Sequence, residues 1–487
     1  MQSPPPIWNK ERLCSLIREK LGDRRLIVVS NREPYEHHRS PNGITWKRPV
    51  GGLTEALDPV LRVTGGCWVA YGSGEADRDS VDSRDRVAVP PDSPQYTLRR
   101  VWLDKEEVEG YYLGFANKAL WPLCHTVFVP PDFTESQWRM YRSVNRKFAD
   151  AVLAETAGLD ALVVVQDYHL ALVPKMLREE RPGLTIGQFW HIPWPPYDIF
   201  RTCPWREELV EGLLGNDLLG FHIGHFCDNF NDAVDHIAGE SEHRTEVAAF
   251  PISVDFEQLA MESGAPAIER EMLSLEREYG LEGKIVGLGM DRLDYTKGIP
   301  ERLLAFEKFI RGNPEYRGKI VFIQAGMPSR SSIGAYQQLG HRIESLIDTI
   351  NATYGDGKWR PVIAIAGQLS YDTLHALRRM AHFCVVSSLD DGMNLVAKEY
   401  VSARNDGDGV LILSEFAGAS RELSDALIIN PYDTTGFAAA IKAAVEMPPR
   451  ERSRRMNALR ATVRENNIYR WAGDLLSRII ALSDGER

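Results

Sequence analysis

KIVGLGMDRLDYTKGIPERL (284–303) reads as a strand, a charged turn and the start of a helix. Residues 284–290 form a nearly continuous apolar run without alternation, the pattern of a strand covered on both faces in a parallel sheet. Arg292 and Lys297 then follow the strand end, five residues apart and ahead of the helix. Runs of the same kind lie downstream at KIVFIQAG (319–326), VIAIAG (362–367), FCVVSS (383–388), VLILSE (410–415) and ALIIN (426–430). Upstream, a separate series comprises LIVVS (26–30), CWVAYG (67–72), ALVVVQD (161–167), TIGQFWH (185–191) and LLGFHI (218–223). Helical patterns separate most of these runs.

Two successive β/α series predict an α/β chain of two Rossmann-like, doubly wound domains facing across a cleft, because ligands bind outside the carboxyl ends of such strands. The expected limits are 1–245 for the first domain and 246–470 for the second, with the turn around FPISVDF (250–256) near their junction. A helix over 471–487 is expected to pack back on the first domain. At the other end Leu13, Leu16, Ile17 and Leu21 recur at helical spacing and predict a short amphipathic helix on that same domain.

A length of 487 residues suits two cores better than one. Hydrophobic content of 44% and charged content of 26% describe a folded globular chain. The net charge of −11 disfavours a nucleic-acid partner, while leaving room for a local basic pocket that binds phosphate. Cys14, Cys67, Cys124, Cys203, Cys227 and Cys384 show no metal-ligand spacing and read as reduced core thiols. Charges interrupt every apolar run of the N-terminal segment, and no run reaches the roughly 20 residues that span a bilayer, so neither a targeting signal nor a membrane partner is expected. The expectation is a cytoplasmic protein whose partners are small-molecule substrates, with a homo-oligomer left open.

Chemistry concentrates at strand ends. In SSLDDGMNLVAKEYVSA (387–403) a strand runs through an acidic turn into a helix expected to start at Gly392, with Asp391 and Glu399 eight residues apart. Helix-start N–H groups and a close-approaching glycine suit a diphosphate, Glu399 suits ribose hydroxyls and Asp391 sugar hydroxyls. Asp391 as a plain N-cap and Glu399 as a solvated charge account for the same letters. Arg292 and Lys297 suit the charge that develops as a nucleoside diphosphate departs, unless Arg292 pairs with Asp294 and Lys297 is a surface residue. In the first series Arg32 ends a strand, Gly51 and Gly52 open a helix, and Asp167 and His191 stand at two further strand ends. Taken singly, each has an ordinary structural reading. Four polar clusters at strand ends in two sheets are harder to dismiss, because they would converge on one cleft.

The motifs SNR, GGL, YYLGFANKALWP, DYHL, HIPWP, DRLDYTKG, PSR, DGMNLVAKEY, LSEFAGA and NPYD, in this order from about residue 26 to 475, resemble those of the trehalose-6-phosphate synthase family. The resemblance implies a retaining glycosyltransferase of the GT-B type that joins a nucleoside-diphosphate glucose to glucose 6-phosphate, with no cofactor and no metal. By matching motif, Arg32, Tyr112, Trp121, Asp167 and Arg330 resemble acceptor-binding residues. Gly51, Gly52, Arg292, Lys297, Asp391, Gly392, Met393, Asn394, Leu395 and Glu399 resemble donor-binding ones. Asp167, His191, Arg292 and Lys297 resemble the catalytic group, while Tyr112 and Trp121 also fit as core aromatics. The pairs Asp77/Asp79 and Asp406/Asp408 lie in polar loops away from these motifs and read as turns.

The sequence departs from the family pattern at Gln166, where HDYHL is usual, at Asp390 in place of arginine, and at Ser253 in place of glycine. The segment between Arg32 and Gly51 is long and basic. NREPY and PNGI are similar to motifs of glucosylglycerol-phosphate synthases, which makes glycerol 3-phosphate the alternative acceptor. Further rivals are a pseudo-glycosyltransferase and a non-catalytic sugar-phosphate-binding homologue. Arg330 favours the sugar-phosphate acceptor, and the intact set Arg292, Lys297, Asp391 and Glu399 favours an enzyme.

Overall fold

The computed structural model describes residues 7–41, 43–48, 52–239, 243–327, 333–367 and 369–485. The chain divides into two compact units, Met1–Ile252 with Ile468–Arg487, and Ser253–Asn467. The chain therefore leaves its first unit near residue 252 and re-enters it at residue 468.

In the first unit the strands are β1 (Arg25–Ser30), β2 (Glu36–Ser40), β3 (Gly43–Lys47), β4 (Cys67–Tyr71), β5 (Arg86–Val89), β6 (Tyr96–Val101), β7 (Ala161–Gln166), β8 (Thr185–Phe189), β9 (Leu218–Phe221) and β10 (Glu246–Ala249). Eight of them form one sheet in the order β10-β9-β8-β7-β1-β4-β6-β5, and β2 pairs with β3 in a separate hairpin. All pairings in the large sheet are parallel except that of β5 with β6. At β1 the connection reverses direction, from β4 on one side to β7 on the other. Every residue of β7 is buried, as its unbroken apolar run requires in a sheet covered on both faces.

β5, β6 and β10 were not expected from apolar runs. Strand β6 carries Arg99 and Arg100, and Arg100 is wholly buried, tied to Glu33, to Asp77 Oδ1 at 2.8 Å and to the Tyr35 carbonyl at 2.8 Å. Residues 77–79 form a short 3-10 turn, and Asp77 anchors it in this network. Asp77 is fully buried and accepts from the backbone N–H groups of His37 and Gly74, which fastens that turn to the segment after Arg32.

Helices Lys10–Leu21 and Ile468–Ser483 pack on each other and on helix Gly52–Thr64. The last helix also covers β8 and β9. Glycines permit the approach: a Cβ at Gly187 would lie 2.4 Å from Ile479, and one at Gly473 would lie 2.5 Å from Trp8.

The second unit has β11 (Ile285–Arg292), β12 (Ile320–Met327), β13 (Val362–Ala366), β14 (Phe383–Val386), β15 (Val410–Ser414) and β16 (Leu427–Ile429) in the order β13-β12-β11-β14-β15-β16. All six are parallel. This is the doubly wound 3-2-1-4-5-6 arrangement, with its switch point between β11 and β14. Among the described residues no helix is long and apolar enough to cross a membrane.

Candidate active site

The switch point of the second unit brings two of the sequence-derived clusters together, since Arg292 ends β11 and Asp391 follows β14. After β11 the chain makes a tight turn, Tyr295–Lys297, in which the Asp294 carboxylate accepts from Thr296 N and Thr296 Oγ1, both at 3.0 Å, and from the Tyr336 hydroxyl at 3.1 Å. Arg292 does not pair with Asp294; it is half-buried, and its side chain makes no hydrogen bond or ion pair among the described residues. Nor is Lys297 a surface residue. It is 8% exposed, and its Nζ lies 2.5 Å from Asp391 Oδ2. Gly298, at φ 59°, closes the turn so tightly that a Cβ would lie 2.1 Å from the Ser387 carbonyl oxygen.

Beyond β14 the helix starts later than expected, at Leu395, and not at Gly392. Its N-cap is Asn394, whose side chain accepts from Ala397 N, so Asp391 is not the cap. Residues 391–393 instead run beside 417–419: Asp391 N donates to the Phe416 carbonyl, Gly418 N to that of Asp391 and Ala419 N to that of Met393. Gly392 and Met393 are buried in this contact, and Leu395 is half-buried. Asp391 Oδ2 collects Lys297 Nζ, Ser388 Oγ at 3.0 Å and Asn394 Nδ2 at 3.0 Å, three donors on one oxygen. Glu399 is held by the buried guanidinium of Arg378 and is not a solvated charge.

Beneath these groups lies a charge the sequence reading missed. Arg302 is fully buried, with Nη2 2.6 Å from Asp291 Oδ2, Nη1 3.1 Å from Gln324 Oε1 and Nε 3.0 Å from Ser387 Oγ. Ser387 Oγ lies 2.9 Å from the carbonyl oxygens of Lys297 and Gly298, so Arg302 reaches the Lys297 turn through one hydroxyl. Burial pushes the Asp291 carboxyl above its ordinary value, and Arg302 opposes that shift. Gly289 makes the room, because a Cβ there would lie 2.0 Å from Arg302 Nη1.

In the first unit the candidates again flank a switch point, with Arg32 after β1 and Asp167 after β7. Arg32 is exposed, and its carbonyl oxygen accepts from Ser30 Oγ. Its neighbour Glu33 accepts from Ser73 N and Ser73 Oγ and pairs with Arg100. Asp167 sits at φ 75°, a strained conformation for a residue with a Cβ. Its backbone is fixed on both sides: the N–H donates to the Phe189 carbonyl at 2.7 Å, and the carbonyl accepts from Gln188 Nε2 at 3.1 Å. Burial works against its charge, but His169 Nδ1 at 3.3 Å and the Tyr168 N–H outweigh it and hold the carboxyl down at about 2.

His169 in turn stacks on Tyr112, with ring centroids 5.5 Å apart. Tyr112 lies on a wide π-helix, Val108–Leu120, which ends at Trp121. Trp121 is buried against His125, with centroids 4.0 Å apart. His191 Nε2 lies 2.9 Å from Gln166 Oε1, and burial lowers the imidazole pKa. Gly52 is the first residue of its helix, whereas Gly51 and Arg330 lie outside the described residues.

Of these groups, Arg302, Arg378 and His169 escaped the sequence reading. Arg302 lies in the first turn of its helix and Arg378 in the last turn of its own, positions that look solvated, and His169 stands within DYHL, where only the acid drew notice. The acids of the two D-x-D pairs are taken up by cations, Asp77 by Arg100, Asp79 by Arg39, Asp406 by Arg404 and Asp408 by Arg452.

The model of glycosyltransferase family 20 matches residues 24–481. A trehalose-6-phosphate synthase of Mycobacterium avium (strain 104) is 41% identical over 477 residues, covering 94% of this chain and 96% of that one. Among solved structures, an alpha,alpha-trehalose-phosphate synthase (UDP-forming) from Burkholderia vietnamiensis superposes with a TM-score of 0.85 at 32% identity, covering 94% of this chain and 98% of the other. The corresponding protein from Burkholderia xenovorans, in complex with glucose-6-phosphate, gives a TM-score of 0.81 at 32% identity, with 93% and 99% covered.

Proposed function

The chain belongs to glycosyltransferase family 20, and from that premise we propose that it transfers glucose from a nucleoside diphosphate to the anomeric hydroxyl of glucose 6-phosphate, forming α,α-trehalose 6-phosphate with retained configuration. The observation that carries this reading is the meeting of Lys297 and Asp391 at the switch point of a GT-B glycosyltransferase unit, where Arg292 ends β11, in a chain whose relatives are named trehalose-6-phosphate synthases. Uridine diphosphate is the leaving group that the name of the Burkholderia vietnamiensis protein favours.

In the proposed reaction the bond from C1 of glucose to the β-phosphate oxygen breaks, and a bond from C1 to the acceptor oxygen forms on the same face. The departing phosphate oxygen takes the acceptor's proton. Fixed cations stabilise charge as it appears, at no cost in reorganisation, which assigns Arg292 and Lys297 to the diphosphate. Glu399, oriented by Arg378, suits ribose hydroxyls, while Asp391 and His191 suit hydroxyls of the donor glucose. Arg32, Tyr112, Trp121, Asp167 and Arg330 are assigned to the acceptor. Six buried free thiols are consistent with a reducing, cytoplasmic setting.

The test is a product assay crossing UDP-, GDP- and ADP-glucose with glucose 6-phosphate and glycerol 3-phosphate. The expected result is a non-reducing disaccharide phosphate, formed fastest from UDP-glucose and glucose 6-phosphate. Product from glycerol 3-phosphate alone would replace the acceptor assignment.

A further inference from the structure

Gln166, the last residue of β7, is completely buried and carries no charge. Its side-chain oxygen Oε1 meets His191 Nε2 at 2.9 Å, while its own Nε2 is buried without a partner among the described residues. A neutral amide oxygen accepts only from a protonated ring nitrogen, so with Oε1 turned toward the ring the imidazole proton sits on Nε2, whereas the flipped amide would donate to Nε2 and put the proton on Nδ1. In that tautomer the other ring nitrogen, Nδ1, which has no hydrogen bond among the described residues, keeps its lone pair.

Ring packing fixes the imidazole plane. Phe189 lies edge-on at 4.6 Å and His222 at 5.8 Å, and Trp471 of the last helix lies at 6.2 Å. His222 Nε2 also lies 3.1 Å from the His191 carbonyl oxygen and holds the backbone. The titratable groups facing the ring are Asp167, His169 and His222. None of them contacts Nε2, which is left to Gln166.

We propose that Gln166 is a positioning residue that holds His191 as the neutral Nε2–H tautomer, so that Nδ1 accepts a hydrogen bond from a hydroxyl of the bound donor sugar. The identity of that hydroxyl rests on the function proposed above; the tautomer does not. A carboxylate at position 166 would favour the imidazolium and abolish the acceptor, and an aliphatic side chain would leave the tautomer unselected. An uncharged acceptor of amide geometry satisfies both conditions.

The first measurement is nitrogen NMR of protein labelled at histidine, without substrate, with the His191 signals assigned by loss in His191→Ala. The expected spectrum has a protonated Nε2 and an unprotonated Nδ1, and Gln166→Leu shifts it toward a tautomer mixture. A protonated Nδ1 in the wild-type chain would overturn the proposal, whether or not the chain transfers glucose. The second measurement is the pH profile of kcat. Gln166→Glu moves the acid limb upward by at least about one pH unit and recovers turnover at high pH, because an adjacent anion raises the imidazole pKa. Gln166→Leu lowers kcat by about 10-fold, with donor KM within about twofold. A role confined to packing would shift the melting temperature and leave the acid limb of Gln166→Glu in place, and that result would also sink the proposal. Should Gln166→Glu fail to fold, the wild-type spectrum still decides.

Discussion

Lys297 and Asp391, which follow different strands, share a 2.5 Å contact. The Asp391 oxygen also accepts from Ser388 and Asn394, so the acid is held in place and Lys297 can keep this contact with one of its three N–H groups while offering the others to a diphosphate. Replacing Lys297 by alanine removes one electrostatic donor to the leaving group, a loss that commonly costs about 100-fold or more in turnover. That is the expected fall in kcat, with weaker donor binding. Wild-type turnover in a folded Lys297→Ala protein would take the residue out of the mechanism.

Arg330 separates the acceptor assignments. A guanidinium can grip a phosphate with two parallel hydrogen bonds, each worth roughly 1.5–3 kcal/mol. Arg330→Ala is expected to raise the KM for glucose 6-phosphate by at least about 10-fold, equivalent to about 1.4 kcal/mol, while donor KM and slow donor hydrolysis stay near wild type. An unchanged acceptor KM would reopen the glycerol 3-phosphate reading.

Arg292 and Lys297 can supply the positive charge that a divalent ion supplies elsewhere. Transfer activity is therefore expected to survive EDTA. Loss of activity on chelation, restored by magnesium, would show that the two side chains do not suffice.

The buried Arg302–Asp291 pair supports a stability prediction. Removing one partner leaves the other charge buried and uncompensated, at a cost of about 3–5 kcal/mol. Arg302→Met should lower the urea midpoint accordingly, and Gly289→Ala should also lower it, because the added methyl collides with the guanidinium. Equal midpoints for Arg302→Met and wild type would mean that the pair is absent in solution.

His375 gives a pH dependence. It is 2% exposed, with Nδ1 2.7 Å from Ser263 Oγ, and burial lowers its pKa, helped by Arg378 and opposed by Glu262. A histidine whose folded pKa lies below its unfolded value near 6.5 binds more protons when unfolded, so its stabilisation is full above that value and is lost as pH falls toward the folded pKa. The slope is at most ~1.4 kcal/mol per pH unit for one group. Urea midpoints measured at pH 7.5 and pH 5 should show lower stability in acid, with a smaller difference in His375→Gln. An equal difference in the two proteins would contradict the assignment.

Strands such as β7 and β11 were legible because unbroken apolar runs have few other uses in a soluble α/β chain. Strand β6 was not, because Arg100 reads as an exposed charge until Glu33 and Asp77, distant in sequence, are seen to neutralise it. Arg292, Lys297, Asp391 and Glu399 could be singled out because strand ends are where ligands bind. Arg302 and Arg378 could not, since a helical arginine looks the same in sequence whether it faces water or a buried carboxylate. The helix start after Asp391 was placed too early because Gly392 resembles a helix opening, whereas the contact with residues 417–419 keeps 391–393 extended. That contact is tertiary and has no local signature.

The return of the last helix to the first unit has a consequence during synthesis. A ribosome makes residues 253–467 before Ile468–Ser483, so the first unit lacks the helix that covers β8 and β9 until translation is nearly over. Until Ile479 arrives, the apolar surface around Gly187 stays open to solvent and to other nascent chains. The half made first thus cannot be completed until the end of translation.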